Sequence, residues 1–282
     1  MGLETLCPVV HDIYEPSTDT WQYVVADPST KHCVVINPTH ENDPEGTGVA
    51  TSAPDVILSL VKRHGYLVDW LLETHPTTRH CTAVYYLRMQ LLERQGFAPR
   101  TCGGANISSM KTSFQRKYGN QKRLTTDYDA DFQDGDKFWV GNMKVTAVQL
   151  EGLKQEHLGY SIDEYLFGLN WFTQLTGLET TLDDSDLSTL RLRHLWLSMA
   201  RVMAFPPQCR IYFGSGLGPL EDGGPFTTVH ESRRSSQFLG MGEQDFVYHW
   251  KAKLAPSYPS DRPDSKRRLR APQQKVATSK RS

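Results

Sequence analysis

Thr74-His75-Pro76-Thr77-Thr78-Arg79-His80 follows the apolar run Leu67-Val68-Asp69-Trp70-Leu71-Leu72-Glu73 and precedes a run from Thr82 to Gln95. The apolar run reads as a buried strand. The later one, with Val84, Leu87, Leu91 and Leu92, reads as a helix. Strand, histidine-bearing loop and helix in that order form one step of an alternating α/β layered protein. Two histidines five apart, His75 and His80, are a weak metal signal alone, because zinc takes three or four protein ligands. Between them stands Arg79, whose guanidinium stays charged and offers no lone pair. The loop has the outline of a metal loop without its inner ligands.

The same alternation continues to both sides. Gln22 to Ala26 and His32 to Ile36 read as strands around the turn Asp27-Pro28-Ser29-Thr30, and Asn37-Pro38 ends the second. Ala53 to His64 reads as a helix with Val56, Ile57, Leu60 and Val61 at helical spacing, capped by Gly65. Phe138 to Val140 and Lys144 to Gln149 form a hairpin through Gly141-Asn142. Ser185 to Ala204 reads as a long helix carrying Leu187, Leu190, Leu195 and Met199, stopped before Pro206-Pro207. Arg210 to Phe213 is a short strand.

Several segments together resemble the metallo-β-lactamase superfamily, in particular its persulfide dioxygenase and glyoxalase II-like branch. They are Ile13 to Pro28, Gln149-Leu150-Glu151-Gly152-Leu153-Lys154-Gln155-Glu156-His157-Leu158-Gly159-Tyr160, Phe167-Gly168-Leu169-Asn170-Trp171-Phe172, Arg210 to Gly216 and Thr228 to Arg234. The resemblance runs from about Pro8 to Leu239. It implies an αββα sandwich with the site at one edge between two sheets. It also implies where metal ligands belong. The family loop reads T-H-x-H-x-D-H, so His75 and His80 stand at ligand positions, while Thr77 and Arg79 replace a histidine and an aspartate. The later ligand positions fall on Leu153, Leu169 and Ser215, so two of seven keep a ligand. The two-histidine, one-carboxylate iron triad of the dioxygenases would fall on His75, Leu153 and Leu169. The family aspartate beside the site is Asn37. The glutathione-handling arginine would fall near Leu178-Glu179-Thr180, where there is none.

The chain has 282 residues, enough for one large domain, expected over residues 1–260. Its five cysteines are scattered, with no C-x-x-C, so no disulfide framework is expected and Cys81 and Cys102 read as inert thiols. No run is long enough to span a bilayer and the start is no secretory signal, which points to a reduced intracellular, cytoplasmic protein. The net charge of −1 is unevenly placed: residues 261–282 carry eight basic and two acidic side chains. This basic tail is expected to be disordered and solvated. Lys266-Arg267-Arg268-Leu269-Arg270 offers the alternative of a nuclear-entry or polyanion-binding patch, although nucleic acid is not the expected partner.

No metal cofactor is expected, with residual zinc or iron on His75 and His80 as the alternative. Glu73, Glu151, Glu156 and His157 are the side chains that could have replaced lost ligands. A small-molecule ligand is the expected partner, in a pocket of Thr77, Leu153, Leu169, Trp171 and Ser215. His75, His80 and Arg79 are the candidate catalytic residues: a histidine near neutrality can act as a base, and a guanidinium can hold a carboxylate or phosphate. Each has a plainer role beside it. The histidines could be satisfied by backbone, Arg79 could pair with Glu73 or Asp27, and the leucines with Trp171 could be core. Three functional readings follow. The first is a small-molecule-binding or regulatory protein on a degenerate metalloenzyme scaffold. The second is a metal-independent isomerase, cyclase or hydrolase of a specialised pathway. The third is a persulfide dioxygenase or thioester hydrolase, as the resemblance alone implies.

Overall fold

The computed structural model describes residues 7–41, 50–74, 82–103, 128–152, 157–168, 188–214, 224–235, 238 and 240–254. Eleven strands form two sheets. In the first, β1 (Val9–Glu15), β2 (Thr20–Ala26), β3 (His32–Ile36), β4 (Leu67–Leu72) and β5 (Arg100–Cys102) lie in chain order. β1, β2 and β3 pair antiparallel, and β3, β4 and β5 pair parallel. The second sheet contains β6 (Lys137–Val140), β7 (Met143–Leu150), β8 (His157–Ile162), β9 (Tyr165–Phe167), β10 (Arg210–Tyr212) and β11 (Phe226–Thr228), again in chain order. The helices are α1 (Ser52–His64), α2 (Val84–Gln95), α3 (Thr189–Met203), α4 (Val229–Ser235) and α5 (Glu243–Leu254).

Side-chain alternation sorts these elements into four layers. On β2, Trp21, Tyr23 and Val25 point to the space between the sheets, where they meet Phe138, Val145, Ala147, Tyr160 and Phe167 of the second sheet. Val24 and Ala26 point the other way, onto Ile57, Leu58 and Val61 of α1 and Leu87 and Leu91 of α2. β7 divides likewise: Met143, Val145 and Ala147 face inward, and Val148 and Leu150 pack on Leu192, Leu195 and Met199 of α3 and Phe246 and Trp250 of α5. The result is the expected αββα sandwich.

Asp27 ties the layers at one end. Its Oδ1 accepts from the Ser29 N–H at 2.8 Å and the Ser29 hydroxyl at 2.6 Å, and its Oδ2 from Thr30 Oγ1 at 2.8 Å and the Asn142 N–H at 2.7 Å. One carboxylate thus joins the β2–β3 turn to the β6–β7 hairpin of the other sheet. Burial opposes its ionisation, but the donors from Ser29, Asn142 and Thr30 prevail and hold Asp27 well below the usual carboxylate range.

The expected strands at 22–26 and 32–36, the helix capped by Gly65 (φ 66°) and the Gly141-Asn142 hairpin all form. Two faces differ from expectation. On α1 the buried row is Ala53, Pro54, Ile57, Leu58 and Val61, whereas Val56 is half exposed. On α3, Leu190 is exposed, and Leu192, Leu195, Met199 and Val202 form the buried face. In both helices several apolar residues fit more than one helical row, and the position of the sheet decides which row is used. Strands β1, β5, β8, β9 and β11 and helix α5 were not anticipated. Three of these strands are three residues long, too short for a period to show. The basic tail and Leu187 lie outside the described residues.

Gly152 ends β7 at φ 90°, and a Cβ there would stand 2.4 Å from the Leu195 nitrogen and 2.9 Å from the Arg191 carbonyl oxygen of α3. Gly152→Ala is therefore expected to lower stability by about 2–5 kcal/mol, adding left-handed strain to a clash with helix backbone. Thermal unfolding measures it; an unchanged midpoint contradicts this packing of α3 on β7.

Candidate functional site

Parallel strands bring their ends to one side. β3, β4 and β5 end together on the first sheet, and β7, β9 and β10 run in the same sense on the second. Three contacts close these two edges on each other. The Leu158 N–H donates to the Thr74 carbonyl at 2.8 Å, and the Trp21 N–H to the Gly214 carbonyl at 2.7 Å. The Tyr160 hydroxyl donates to the Glu73 carbonyl at 3.1 Å. Gly168 (φ 89°) completes the seam, since a Cβ there would lie 2.4 Å from Thr74 Cγ2.

The seam is where buried polarity gathers. Thr20, Gln22, Asn37, Thr39, His40, Glu73, Thr74, Thr82 and Thr101 lie at this edge of the first sheet. They are nine of the thirteen buried polar or charged side chains among the described residues. A core assembled for stability alone would bury apolar residues there, so the belt makes this edge the candidate site. Gln22 Oε1 accepts from the Thr39 N–H at 2.9 Å, and His40 Nδ1 bonds the Ala50 carbonyl at 2.8 Å. Asn37, at φ 54°, accepts from both the N–H and the hydroxyl of Thr74 on its Oδ1, each at 3.0 Å. Two amide donors of the belt, Gln22 Nε2 and Asn37 Nδ2, are buried and find no hydrogen-bond partner among the described residues.

Glu73 carries the one carboxyl of the belt. The Tyr128 hydroxyl donates to it, and Thr82 bonds it as well. Burial lifts its pKa above the ordinary value, against both hydrogen bonds, which lower it. Burial also raises Tyr128 and Tyr160 far above the ordinary phenol, and raises the Cys102 thiol, which lies 3.7 Å from the Tyr160 hydroxyl. Cys102 is thus an inert buried thiol, as expected from sequence. The roles of Tyr128 and Tyr160 left no signal in the sequence. Glu73 gave one, as a carboxylate closing an apolar strand.

His75, Thr77, Arg79, His80, Leu153, Leu169, Trp171 and Ser215 lie outside the described residues, as do Glu156 and the side chain of His157. The structure does place the positions from which their segments depart: Thr74, Gly152, Gly168 and Gly214 all stand at the same edge. The two carboxylates suggested as partners of Arg79, Asp27 and Glu73, are taken up by described neighbours. Glu151 faces outward toward α3, with His194 Nδ1 at 3.4 Å. It borders a groove of about 200 Å³ with Asp134, His194, Ser198 and Arg201, where Arg201 pairs with Asp134 at 2.7 Å. Among the described residues no three His, Cys, Asp or Glu side chains are grouped to hold a metal, and no helix is long and apolar enough to cross a membrane.

Solved structures share this architecture. ETHE1 from Myxococcus xanthus matches with a TM-score of 0.60 at 16% identity, over 88% of this chain and 92% of that one. A metallo-β-lactamase from Staphylococcus aureus matches with a TM-score of 0.60 at 15% identity, over 90% and 69%. In sequence, the chain is 31% identical over 252 residues to the Beta-lactamase hydrolase-like protein of Agrobacterium fabrum, covering 85% of this chain and 54% of that protein. It is 24% identical over 233 residues to Glyoxylase B2 of Dictyostelium discoideum, covering 80% and 76%. No family model matches the chain. The chain has the metallo-β-lactamase fold, and these relatives and structures support its resemblance to that superfamily and to the persulfide dioxygenase and glyoxalase II-like branch. It spans about half the length of the hydrolase-like relatives it matches.

A carboxyl whose folded pKa exceeds its unfolded one holds its proton more tightly in the fold. Its stabilisation is complete at low pH and is lost as pH rises through the folded value. Glu73→Gln removes that loss while keeping an acceptor for Tyr128. The variant is expected to gain on the natural chain in unfolding midpoint as pH rises from about 4 to about 8. A gap that widens toward low pH contradicts the assignment.

Proposed function

We propose that this chain has left the usual metal-dependent hydrolase and dioxygenase chemistry of its family and binds a small molecule at the seam, as a binding or regulatory protein. One observation carries the reading. At the edge where Thr74, Gly152, Gly168 and Gly214 stand, the next residues in the chain are His75, Leu153, Leu169 and Ser215. A leucine has no lone pair to give, so this donor set does not fit a metal centre that needs three or four ligands. Asn37, where the family resemblance implies a carboxylate, supports the same reading, because an amide brings no negative charge to this edge. In this proposal Arg79 supplies the positive charge that the ion would have supplied. Thr77, Trp171 and the two leucines make the pocket wall.

The names of the relatives favour a second reading. Proteins called hydrolase-like and glyoxylase are consistent with catalysis here, and without a metal it would run on His75 and His80 as acid and base, with Arg79 holding an anionic substrate.

Elemental analysis and melting of the purified chain test the first reading. We expect sub-stoichiometric zinc and iron and a melting temperature unmoved by EDTA, since a protein stabilised by a bound ion loses that stabilisation to a chelator. Near-stoichiometric metal, or a large downward shift in EDTA, overturns it. Installing Leu153→His with Leu169→Asp is expected to lower the melting temperature, because apolar burial on the order of 1.5–3 kcal/mol per leucine is exchanged for a carboxylate with no ion. Unchanged pathway output from His75→Ala and Arg79→Ala, with both variants folded, removes the catalytic reading.

A further inference from the structure

At the end of the first sheet away from the seam, two histidines meet around one tyrosine. His11 stands on β1 opposite Val24 of β2, on the face that packs against the helices. His64 is the last residue of α1. The two imidazole rings lie 4.7 Å apart between centroids, and His64 stacks on the buried Tyr66 at 5.2 Å. His11 Nε2 hydrogen-bonds the Tyr66 hydroxyl at 3.0 Å. The cluster is built on fixed backbone. Gly65 turns left-handed and the Tyr66 N–H donates to the Val61 carbonyl at 3.0 Å, so Tyr66 and His64 are held to α1. The Leu67 N–H donates to the Lys31 carbonyl at 2.9 Å, which brings the β2–β3 turn to the same place.

Two imidazoles this close accept one proton more easily than two. The groups around them add positive charge. Lys31 places its ammonium 5.7 Å from the Tyr66 ring, and Lys62 and Arg63 share the last turn of α1 with His64. Asp12, beside His11 on β1, is the carboxylate that favours the charged form. Cys33 of β3 lies close to Tyr66, and burial keeps its thiol protonated. Burial and then His64 lower the pKa of His11, and Asp12 offsets them only in part. On the neighbouring β3, His32 has the Asp69 carboxylate at 2.8 Å, whereas His11 meets a second imidazole.

The strand that carries His11 is also lightly held. β1 lies at the edge of its sheet and pairs with β2 alone. Val9 is exposed, and Val10, Ile13 and Tyr14 are only partly buried, while every residue of β2 is buried. An edge strand with little buried surface can open while the rest of the sheet stays folded.

We propose that His11, His64 and Tyr66 form an acid-sensitive latch, which holds β1 against α1 at neutral pH and releases it when both imidazoles are charged, baring the edge of β2. A histidine whose folded pKa lies below its unfolded one takes up protons on opening. The latch is therefore complete above the unfolded value of about 6.5 and weakens as pH falls below it toward the folded value. It operates whatever the seam holds.

Hydrogen exchange of the full chain at about pH 7.5 and about pH 5.5, corrected for the intrinsic pH dependence of exchange, tests the latch. The β1 amides are expected to lose about tenfold in protection between the two conditions, while Val34 and Val35 of β3 keep theirs. Asp27, held well below the usual carboxylate range, keeps its charge across this window and with it the tie between the sheets. The loss at β1 should be smaller in His64→Gln and absent from His11→Gln, where an uncharged amide replaces the ring. No loss in the natural chain, an equal loss at β3, or an undiminished loss in either variant overturns the proposal.

Discussion

The hydrogen bond from the Leu158 N–H to the Thr74 carbonyl holds together the two edges on which the rest of this molecule's function depends. It joins the last residue described after β4 to the second residue of β8, so the parallel strand ends of one sheet face those of the other. The contact is possible because Gly168 has no Cβ, so β9 can approach Thr74 closely. Gly152 does the same for β7 against α3. Aromatic packing sets the sheet spacing behind the seam: Tyr23 against Phe167 at 5.3 Å, and Phe167 stacked on Tyr212 at 4.7 Å. The Tyr23 hydroxyl donates to the Phe213 carbonyl and locks the end of β10 to the first sheet.

What sits at that edge is a network of amides, hydroxyls and one buried carboxyl. Burial raises the Glu73 carboxyl above its ordinary range, against the hydroxyls around it, which favour the charged form. Asn37 brings a donor. In the proposed binding reading such a belt does not replace the deprotonated Cys, His or carboxylate ligands that a zinc or iron centre needs. The scaffold contacts at Thr74, Gly168 and Gly214 involve main chain and small residues, so they do not depend on which side chains stand one position further along.

Much of the fold was legible because its strongest signals are local. A continuous apolar run gave β4, Gly65 gave the end of α1, and Gly141-Asn142 gave the hairpin. The exposed Val56 and Leu190 show the limit of periodicity. A helix with several apolar residues contains more than one candidate row, and only the position of the sheet selects among them. Strands β9 and β11 were illegible because three residues make no period. At the site, the identities at ligand positions could be read by resemblance, but the polar belt could not. Tyr128 and Tyr160 reach Glu73 across 55 and 87 residues of chain, and no spacing rule connects them. Asn37 was visible as a missing carboxylate; its donor, without a partner among the described residues, appears only when Thr74 fixes the amide.

The proposed function requires that this edge holds no metal. Diffraction from crystals of the purified chain, recorded on both sides of the zinc and iron absorption edges, tests it most directly. No anomalous peak is expected at the seam bounded by Thr74, Gly152, Gly168 and Gly214. A strong anomalous peak at that edge would contradict it.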